Sequence, residues 1–344
     1  PILSFPRKGG RDPQSGRRDV LESQAPDPAT PSDLPSPVAD LPSPVSNLPS
    51  PDPDLPSPVA DLPSPFDAVV FAGGGCRCFW QVGFWETAAP ALDLRPRAVA
   101  AVSAGAAMAC MVFADAVADG LADFKRRAAA NPRNIYPLNP LARRPMFPQA
   151  AIYRETILAT LSAARLAHLQ RGPDVRVLIA RVPPWLGPRS GFLVAVLAYE
   201  AEKLLRRRGP HDALGRRVGF RPEVAAVRDC RSPDELADLI LHSSCTPPFT
   251  PAFRRDGRPV IDGGLIDSVP VEVLPAPAPM TLVLLSRQYA PDAIPAVAGR
   301  TYVQPSAPIP VQKWDYTNPA GVQATYDLGR RDGERFAAQW RDGA

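Results

Sequence analysis

Two short apolar runs in the sequence are each followed by a turn of small residues and then by a helical pattern. The first run covers residues 66–72, ends at three consecutive glycines and precedes a helix expected over 77–86. The second covers residues 97–102 and precedes a stretch with helical periodicity over 104–119. A strand, a turn and a helix in this order, found twice, predict a parallel sheet with helices on its faces.

Later segments extend this α/β pattern. Residues 174–182 and 281–287 are apolar enough for further central strands, and a helix is expected over 154–170. A Ser-Pro-Asp-Glu sequence forms a capping box that begins the helix predicted over 232–243. The proline-rich stretch 131–148 is expected to be an irregular surface excursion near the mouth of the site.

The N-terminal 65 residues have a different composition and hold many of the 45 prolines. From residue 33 a unit close to Asp-Leu-Pro-Ser-Pro-Val-Ala repeats every seven residues. Two prolines per unit exclude a coiled coil, because each removes a helix hydrogen bond and clashes with the preceding turn. We therefore expect a disordered, polyproline-like arm over 1–65 and one large α/β domain over 66–344.

The overall charge of the chain adds little to the predicted fold, because the formal net charge is only +4. Arginines cluster at 126–127, 143–144, 206–208 and 216–217. Each cluster is interpreted as a solvated helix end or loop, with an alternative interpretation as a face that meets anionic lipid headgroups. Nucleic acid is not an expected partner, because no basic run is interleaved with aromatic residues.

Five cysteines form an odd, sparse set that indicates reduced thiols in an intracellular protein. Cys76 and Cys78 have no second Cys/His pair at ligand spacing, so neither a metal nor a cofactor is expected. The first residues lack the apolar region of a signal peptide. The longest uncharged apolar stretch, 98–114, is short for a bilayer. The expected location is the cytoplasm, with peripheral attachment to membranes as a further possibility.

The glycine loop after the first strand is the first candidate for chemistry. Consecutive glycines allow a tight turn that brings backbone N–H groups close to a ligand. A dinucleotide-binding loop is the competing interpretation, but its third glycine is replaced here by Cys78. The acidic residue expected about twenty positions later, at the end of a second strand, is also missing. The sequence therefore disfavours a dinucleotide site.

Ser103 lies between the second predicted strand and its helix, in the sequence Ala-Val-Ser-Ala-Gly. This is a nucleophile elbow in all but its first glycine, which is Ala101 here. Such a turn exposes the serine oxygen and directs the N-terminus of the following helix toward developing negative charge. Ala101 and Gly105 supply the small side chains that the crowded turn requires.

Asp262 is the candidate base. It ends an apolar strand and is followed by Gly263 and Gly264. By itself this pattern is also typical of an Asx turn. The chain order then decides against an ordinary α/β-hydrolase triad, in which a histidine follows the acid. All three histidines, His168, His211 and His242, precede Asp262, so Asp262 is the best remaining candidate to accept the serine proton.

Together the three motifs resemble the patatin-like phospholipase family, over roughly 66–287. The resemblance implies a three-layer α/β/α fold with a central mostly parallel sheet, a Ser–Asp dyad and no metal. Cys78 and Ala101 depart from the family's glycines, which bears on the packing behind the loop and on the elbow. The implied site comprises Ser103 and Asp262 as catalytic residues, Gly73, Gly74, Gly75, Cys76 and Arg77 in the oxyanion hole, and Gly105, Gly263 and Gly264 in the elbow and turn.

The implied activity is hydrolysis of lipid acyl esters, as in a phospholipase A or lysophospholipase, through an acyl-enzyme. The expected partner is a phospholipid or another acyl ester, met at a membrane or micelle surface. Two alternatives stay open: a catalytically weak lipid-binding module, and an interaction protein that works through the proline repeat. The oligomeric state does not follow from the sequence.

Overall fold

The computed structural model describes residues 64–183, 209–211, 219–275 and 278–343. Residues 1–63, which hold nearly all of the proline repeat, lie outside the described residues, as do the arginine clusters at 206–208 and 216–217.

A parallel sheet forms the centre of the domain. Its parallel strands follow one another in space in the order β3, β2, β1, β7, β8. All residues of β1, β2 and β7 are buried, as expected for strands with both faces covered. The parallel strands are β1 (Ala68–Phe71), β2 (Ala98–Val102), β3 (Asp174–Arg181), β7 (Thr281–Leu284) and β8 (Arg300–Val303).

Three antiparallel strands extend the sheet beyond β3: β4 (Arg221–Ala226), β5 (Arg254–Arg255) and β6 (Arg258–Asp262). β3 is long enough to pair with two strands along one edge. Its residue Leu178 pairs with Val102 of β2, and the next residue, Ile179, pairs with Asp262 of β6. Along this edge of β3, the last residue of β6 therefore follows the last residue of β2. This register places Asp262 beside the residue that follows Val102.

Alternate residues of the strands face two separate hydrophobic clusters. One face packs on helices, where Val69 and Phe71 belong to the larger cluster. On the other face, Val70 and Val102 pack against the segment 266–273. The prediction of a mixed α/β fold with a mostly parallel sheet flanked by helices is confirmed. The helices are α1 (Phe79–Leu92), α2 (Ala104–Phe113), α3 (Val117–Ala130), α4 (Gln149–Thr160), α5 (Ala163–Arg171), α6 (Pro233–Ser243) and α7 (Pro319–Gly343).

The helix predicted over 104–119 was wrong in its length, because α2 ends at Phe113. Asp115 adopts a left-handed conformation with φ of 50°. Ala116 then donates its N–H to Met111 and Asp115 donates to Val112, which closes a Schellman motif. The chain turns there and begins α3.

The helix predicted over 154–170 is likewise two helices. α4 ends at Thr160, and the Ser162 side chain accepts the N–H of Arg165 and caps α5. The first helix begins at Phe79, after a 3₁₀ turn at Gly75–Cys78, rather than at residue 77. The excursion 131–148 is irregular as predicted, apart from a 3₁₀ turn at Asn139–Ala142.

The C-terminal helix α7 was not predicted. It packs along α1 so closely that a Cβ on Gly329 would lie 2.1 Å from the carbonyl oxygen of Trp80. The Trp80 indole donates a hydrogen bond of 2.8 Å to Asp332 of α7. None of the described helices combines the length and hydropathy needed to cross a membrane.

Candidate active site

Ser103 lies on the sharp turn between β2 and α2. Its backbone has φ of 55° and ψ of −135°, a conformation that a non-glycine residue holds only when its surroundings enforce it. Two contacts do so. The Ser103 N–H donates to Ser243 Oγ at 2.8 Å, and that hydroxyl donates to the carbonyl of Leu178 at 2.7 Å. Ser243 thus joins the turn to β3.

Steric crowding explains why the turn has small residues. A Cβ at Gly105 would lie 2.5 Å from the carbonyl oxygen of Phe71 and 2.6 Å from that of Ala72. The first turn of α2 therefore packs directly on the end of β1. Ala101, the departure from the usual glycine, is fully buried in β2, so the site accommodates its methyl group within the core.

Asp262 faces this turn from the end of β6. Its Oδ2 accepts the Ser103 hydroxyl at 2.8 Å and lies 3.2 Å from Thr246 Oγ1. Its Oδ1 accepts the N–H of Gly264 at 2.8 Å. One carboxylate oxygen therefore closes the Asx turn that is typical of the Asp-Gly-Gly sequence, and the other accepts the serine hydroxyl.

Both Ser103 and Asp262 are buried, which strengthens the hydrogen bond between them. Only 4% of Ser103 and 6% of Asp262 is exposed. The Gly264 N–H hydrogen bond fixes the orientation of the carboxylate, and a hydrogen bond between an alcohol and an ionised acceptor is strong when water is excluded. A carboxylate at this distance can remove the serine proton as the oxygen attacks an electrophile.

The histidines have other neighbours. His211 Nε2 lies 2.8 Å from the Tyr302 hydroxyl and its Nδ1 lies 3.5 Å from Asp267. The His242 ring packs edge-on against Phe253. His168 is exposed on α5.

The glycine loop follows β1 and is anchored from two sides. Gly73 donates its N–H to the Ser268 carbonyl at 3.0 Å, and the Gly73 carbonyl accepts the Ser286 hydroxyl at 2.6 Å. The N–H of Cys76 donates to the Lys313 carbonyl at 3.0 Å. The N–H groups of Gly73 and Cys76 are therefore both bonded within the protein.

Gly75 is the residue that needs a glycine most. Its φ is 61°, and a Cβ there would lie 2.1 Å from the Lys313 carbonyl oxygen. Gly74 and Gly75 form the part of the loop between the two anchored amides. Ala104, the first residue of α2, contributes an N–H that has no acceptor within its own helix.

The two cysteines of the loop are buried. Cys78, at the position of a family glycine, donates its thiol to the carbonyl of Ala72, and burial raises its pKa to about 12. Burial also raises the pKa of Cys76, so both thiols stay protonated and unreactive at neutral pH. Within the described residues, no group of three His, Cys, Asp or Glu side chains could hold a metal ion.

A cleft opens above the serine, and cationic side chains contribute to its wall. Arg287 lies over the Tyr289 ring at 4.7 Å, and Arg77 donates from Nε to the Gly74 carbonyl at 3.2 Å. Among the residues that line the cleft, Asp262 supplies the carboxylate. The lining residues are Gly73, Gly74, Arg77, Ser103, Cys245, Thr246, Ile261, Asp262, Gly264, Leu265, Ser268, Arg287, Tyr289 and Lys313.

Several of these residues were not singled out from the sequence. Ser243 is the last residue of the capped helix α6, and Thr246 lies in the segment between that helix and Asp262. No pattern in the sequence indicated Lys313. Its carbonyl accepts the N–H of Cys76, which lies 237 residues earlier in the chain.

The family profile described as patatin-like phospholipase matches residues 69–275. The chain belongs to the patatin-like phospholipase family. The match spans the glycine loop, the serine turn and the Asp-Gly-Gly turn, and it ends before Arg287 and Lys313, so the family match does not cover those two residues of the cleft.

The crystal structure of VipD from Legionella pneumophila is similar to this chain, with a TM-score of 0.39 and 9% sequence identity. The similarity covers 80% of this chain and 67% of that chain. A search of curated proteins found no match. The family assignment therefore rests on the profile match.

Proposed function

We propose that the domain hydrolyses carboxylic esters of phospholipids, with Ser103 as nucleophile and Asp262 as its base. The family is one of lipid acyl hydrolases. The observation that carries the proposal is the direct hydrogen bond of 2.8 Å between Ser103 Oγ and Asp262 Oδ2, because it joins a nucleophile to a base without an intervening histidine.

In the first step Ser103 Oγ forms a bond to the ester carbonyl carbon while its proton passes to Asp262. The tetrahedral intermediate then collapses. The bond to the alcohol breaks, and Asp262 returns the proton to the leaving oxygen, which releases a lysophospholipid.

In the second step a water molecule attacks the acyl-enzyme and gives a proton to Asp262. The bond between the acyl carbon and Ser103 Oγ breaks, and the proton returns to the serine. A free fatty acid leaves, and both residues are restored for the next cycle.

The oxyanion hole in this proposal consists of the N–H groups of Gly74, Gly75 and Ala104. Gly74 and Gly75 lie between the anchored amides of Gly73 and Cys76, so the donors are held in place before substrate arrives. Ala104 adds the positive end of the α2 dipole. In such a site the loss of one donor costs about 3 kcal/mol of transition-state stabilisation.

The cleft wall supports a phospholipid substrate. Arg77, Arg287 and Lys313 line the space around the serine, and guanidinium and ammonium groups complement a phosphate. In this proposal the diester phosphate of the substrate lies against these cations while its ester carbonyl lies at Ser103.

Of the alternatives left open by the sequence, a catalytically weak lipid-binding module gains no specific support. Such a module has no need of a strained serine hydrogen-bonded to a buried carboxylate. For the domain organisation, we propose that the residues from 64 onward form the catalytic unit and that the preceding arm is a spacer.

The test combines ester hydrolysis with covalent labelling. The wild-type chain should hydrolyse a soluble fluorogenic ester and release fatty acid from phospholipid micelles, and Ser103→Ala should lose both activities while its circular dichroism is unchanged. A fluorophosphonate should label the wild type and the matched control Ser162→Ala equally and should not label Ser103→Ala. Labelling at another serine, or Ser103→Ala activity within tenfold of the wild type, would contradict the proposal.

A further inference from the structure

The excursion between α3 and α4, residues 131–148, presents apolar side chains to solvent. Leu138 is 75% exposed and Leu141 is 86% exposed, more than any other large hydrophobic side chain among the described residues. Ile135, on the same excursion, is 48% exposed. Side chains three residues apart lie on the same side of a 3₁₀ turn. The turn at Asn139–Ala142 therefore presents Leu138 and Leu141 together.

The excursion is closed and internally bonded. The Tyr136 N–H donates to the Met146 carbonyl at 2.8 Å, and the Arg144 N–H donates to the Asn139 carbonyl at 3.0 Å. The Asn139 side chain also donates to the Pro145 carbonyl at 3.0 Å. These bonds join its outgoing and returning halves, so the leucines are held on a formed tip.

The base of the excursion is attached to the segment that lines the cleft. Asn131 donates to the Tyr316 carbonyl at 2.9 Å, and Asn134 accepts the Tyr316 N–H at 2.8 Å. Phe147 packs edge-on against Phe249, which in turn stacks on Trp314 with ring centroids 4.8 Å apart. Trp314 follows Lys313 of the cleft wall. These contacts join the base of the excursion to the segment that carries Lys313 and Trp314.

The charge of the excursion has one sign. Arg133, Arg143 and Arg144 are all exposed, and residues 131–148 contain no aspartate or glutamate. Exposed leucines flanked by exposed arginines complement a surface that has an apolar interior and an anionic outer layer. An anionic lipid bilayer has this arrangement.

We infer that the excursion 131–148 is the membrane-docking surface of the domain, with Leu138 and Leu141 inserted among the lipids and Arg143 and Arg144 against anionic headgroups. The inference rests on the proposed function in one respect, because docking there delivers phospholipid to the attached cleft. It explains the arginine pair at 143–144 by the second of the two interpretations that the sequence left open.

Vesicle binding tests the inference separately from catalysis. The full chain carrying Ser103→Ala is mixed with phosphatidylcholine vesicles, or with vesicles in which part of the phosphatidylcholine is replaced by phosphatidylglycerol, and bound protein is measured by sedimentation. Adding Leu138→Ser with Leu141→Ser should weaken binding to both vesicles by at least about tenfold, because the buried leucine area is lost. Adding Arg143→Gln with Arg144→Gln should weaken only phosphatidylglycerol binding, by about fivefold for each arginine.

Matched controls remove the same kinds of side chain elsewhere. Val224→Ser with Met280→Ser changes two other exposed apolar residues, and Arg221→Gln with Arg258→Gln changes two other exposed arginines. Both controls should bind as the parent does. Equal losses in the controls, or unchanged binding of the leucine variant, would overturn the inference.

Hydrolysis then distinguishes the two proposals. With Ser103 present, the leucine variant should keep wild-type activity on a soluble ester and lose at least about tenfold on vesicle phospholipid. Wild-type activity of this variant on both substrates would overturn the docking surface and leave the proposed function standing. A wild type that binds vesicles through the leucines but hydrolyses no ester would reject the proposed function and leave the docking surface.

Discussion

At the scale of single residues, the serine turn depends on a bridge through Ser243. This hydroxyl accepts from the Ser103 N–H and donates to the Leu178 carbonyl. Ser243→Ala leaves both buried groups unpaired, so we expect a loss of about 1–3 kcal/mol in the free energy of unfolding. We also expect kcat to fall at least tenfold, because the turn is no longer held. Denaturant titration and kinetics measure the two effects.

Ser244→Ala is the matched control for this variant, since it removes the neighbouring hydroxyl and leaves the bridge intact. It should change kcat much less than Ser243→Ala. Equal effects of the two variants would show that the bridge does not position Ser103.

Asp262→Asn tests the proposed base. The amide cannot accept the serine proton as a carboxylate does, so kcat/KM should fall about a thousandfold or more. His168→Gln, His211→Gln and His242→Gln should each keep most of the activity. A thousandfold loss in any folded histidine variant would replace the dyad with a triad.

His242 gives the stability of the protein a pH dependence. Burial lowers its pKa in the folded state, and the neighbouring Arg255 lowers it further. The unfolded chain therefore binds the proton more readily, and the stability associated with the neutral ring is present above about pH 6.5 and lost as the pH falls below it. We expect the Tm of the wild type to fall between pH 7 and pH 5.

His242→Gln should flatten part of this fall, because glutamine does not titrate. Melting curves of the two proteins across the same buffers measure the difference. An identical slope in both proteins would assign the pH dependence to other groups.

At the scale of elements, the pair α1 and α7 depends on glycines that permit close approach. A Cβ at Gly329 would meet the Trp80 carbonyl, and a Cβ at Gly83 would meet the Tyr326 carbonyl. Backbone atoms cannot move aside as side chains do, so Gly329→Val should destabilise the fold by about 2–3 kcal/mol. Gly343→Val is the control in the same helix, since nothing lies within 4 Å of its added Cβ. Equal Tm values for the two variants would show that the helices separate at little cost.

The sequence predicted the elements that carry local signals. The strand before the glycine loop, the strand before Ser103 and the capped helix α6 all have such patterns. The end of α2 could not be predicted from a local pattern, because the residue that adopts the left-handed conformation there is Asp115 and not a glycine. The placement of β6 at the end of β2 is a long-range pairing with no local pattern, although the family resemblance already implied that Asp262 meets Ser103.

At the scale of the whole molecule, the described domain begins before its first strand. Ser64 accepts the Arg95 N–H at 3.0 Å, and Phe66 packs against Trp340 with ring centroids 4.7 Å apart. Ser64, two residues before the predicted boundary at 66, therefore also contacts the domain. A chain that begins at Ser64 should retain the Tm of the full chain and its activity on soluble esters. A large drop in Tm would show that the arm stabilises the domain.

The junction where β6 continues the line of β2 has a consequence for how the protein is made. The proposed nucleophile and base are 159 residues apart in the chain, and the pairings of β2 and β6 with β3 bring them together. A chain growing from its N-terminus exposes the serine turn long before the aspartate has been synthesised. In the proposed mechanism the nascent chain therefore has no base for Ser103 until β6 has been synthesised and has paired with β3.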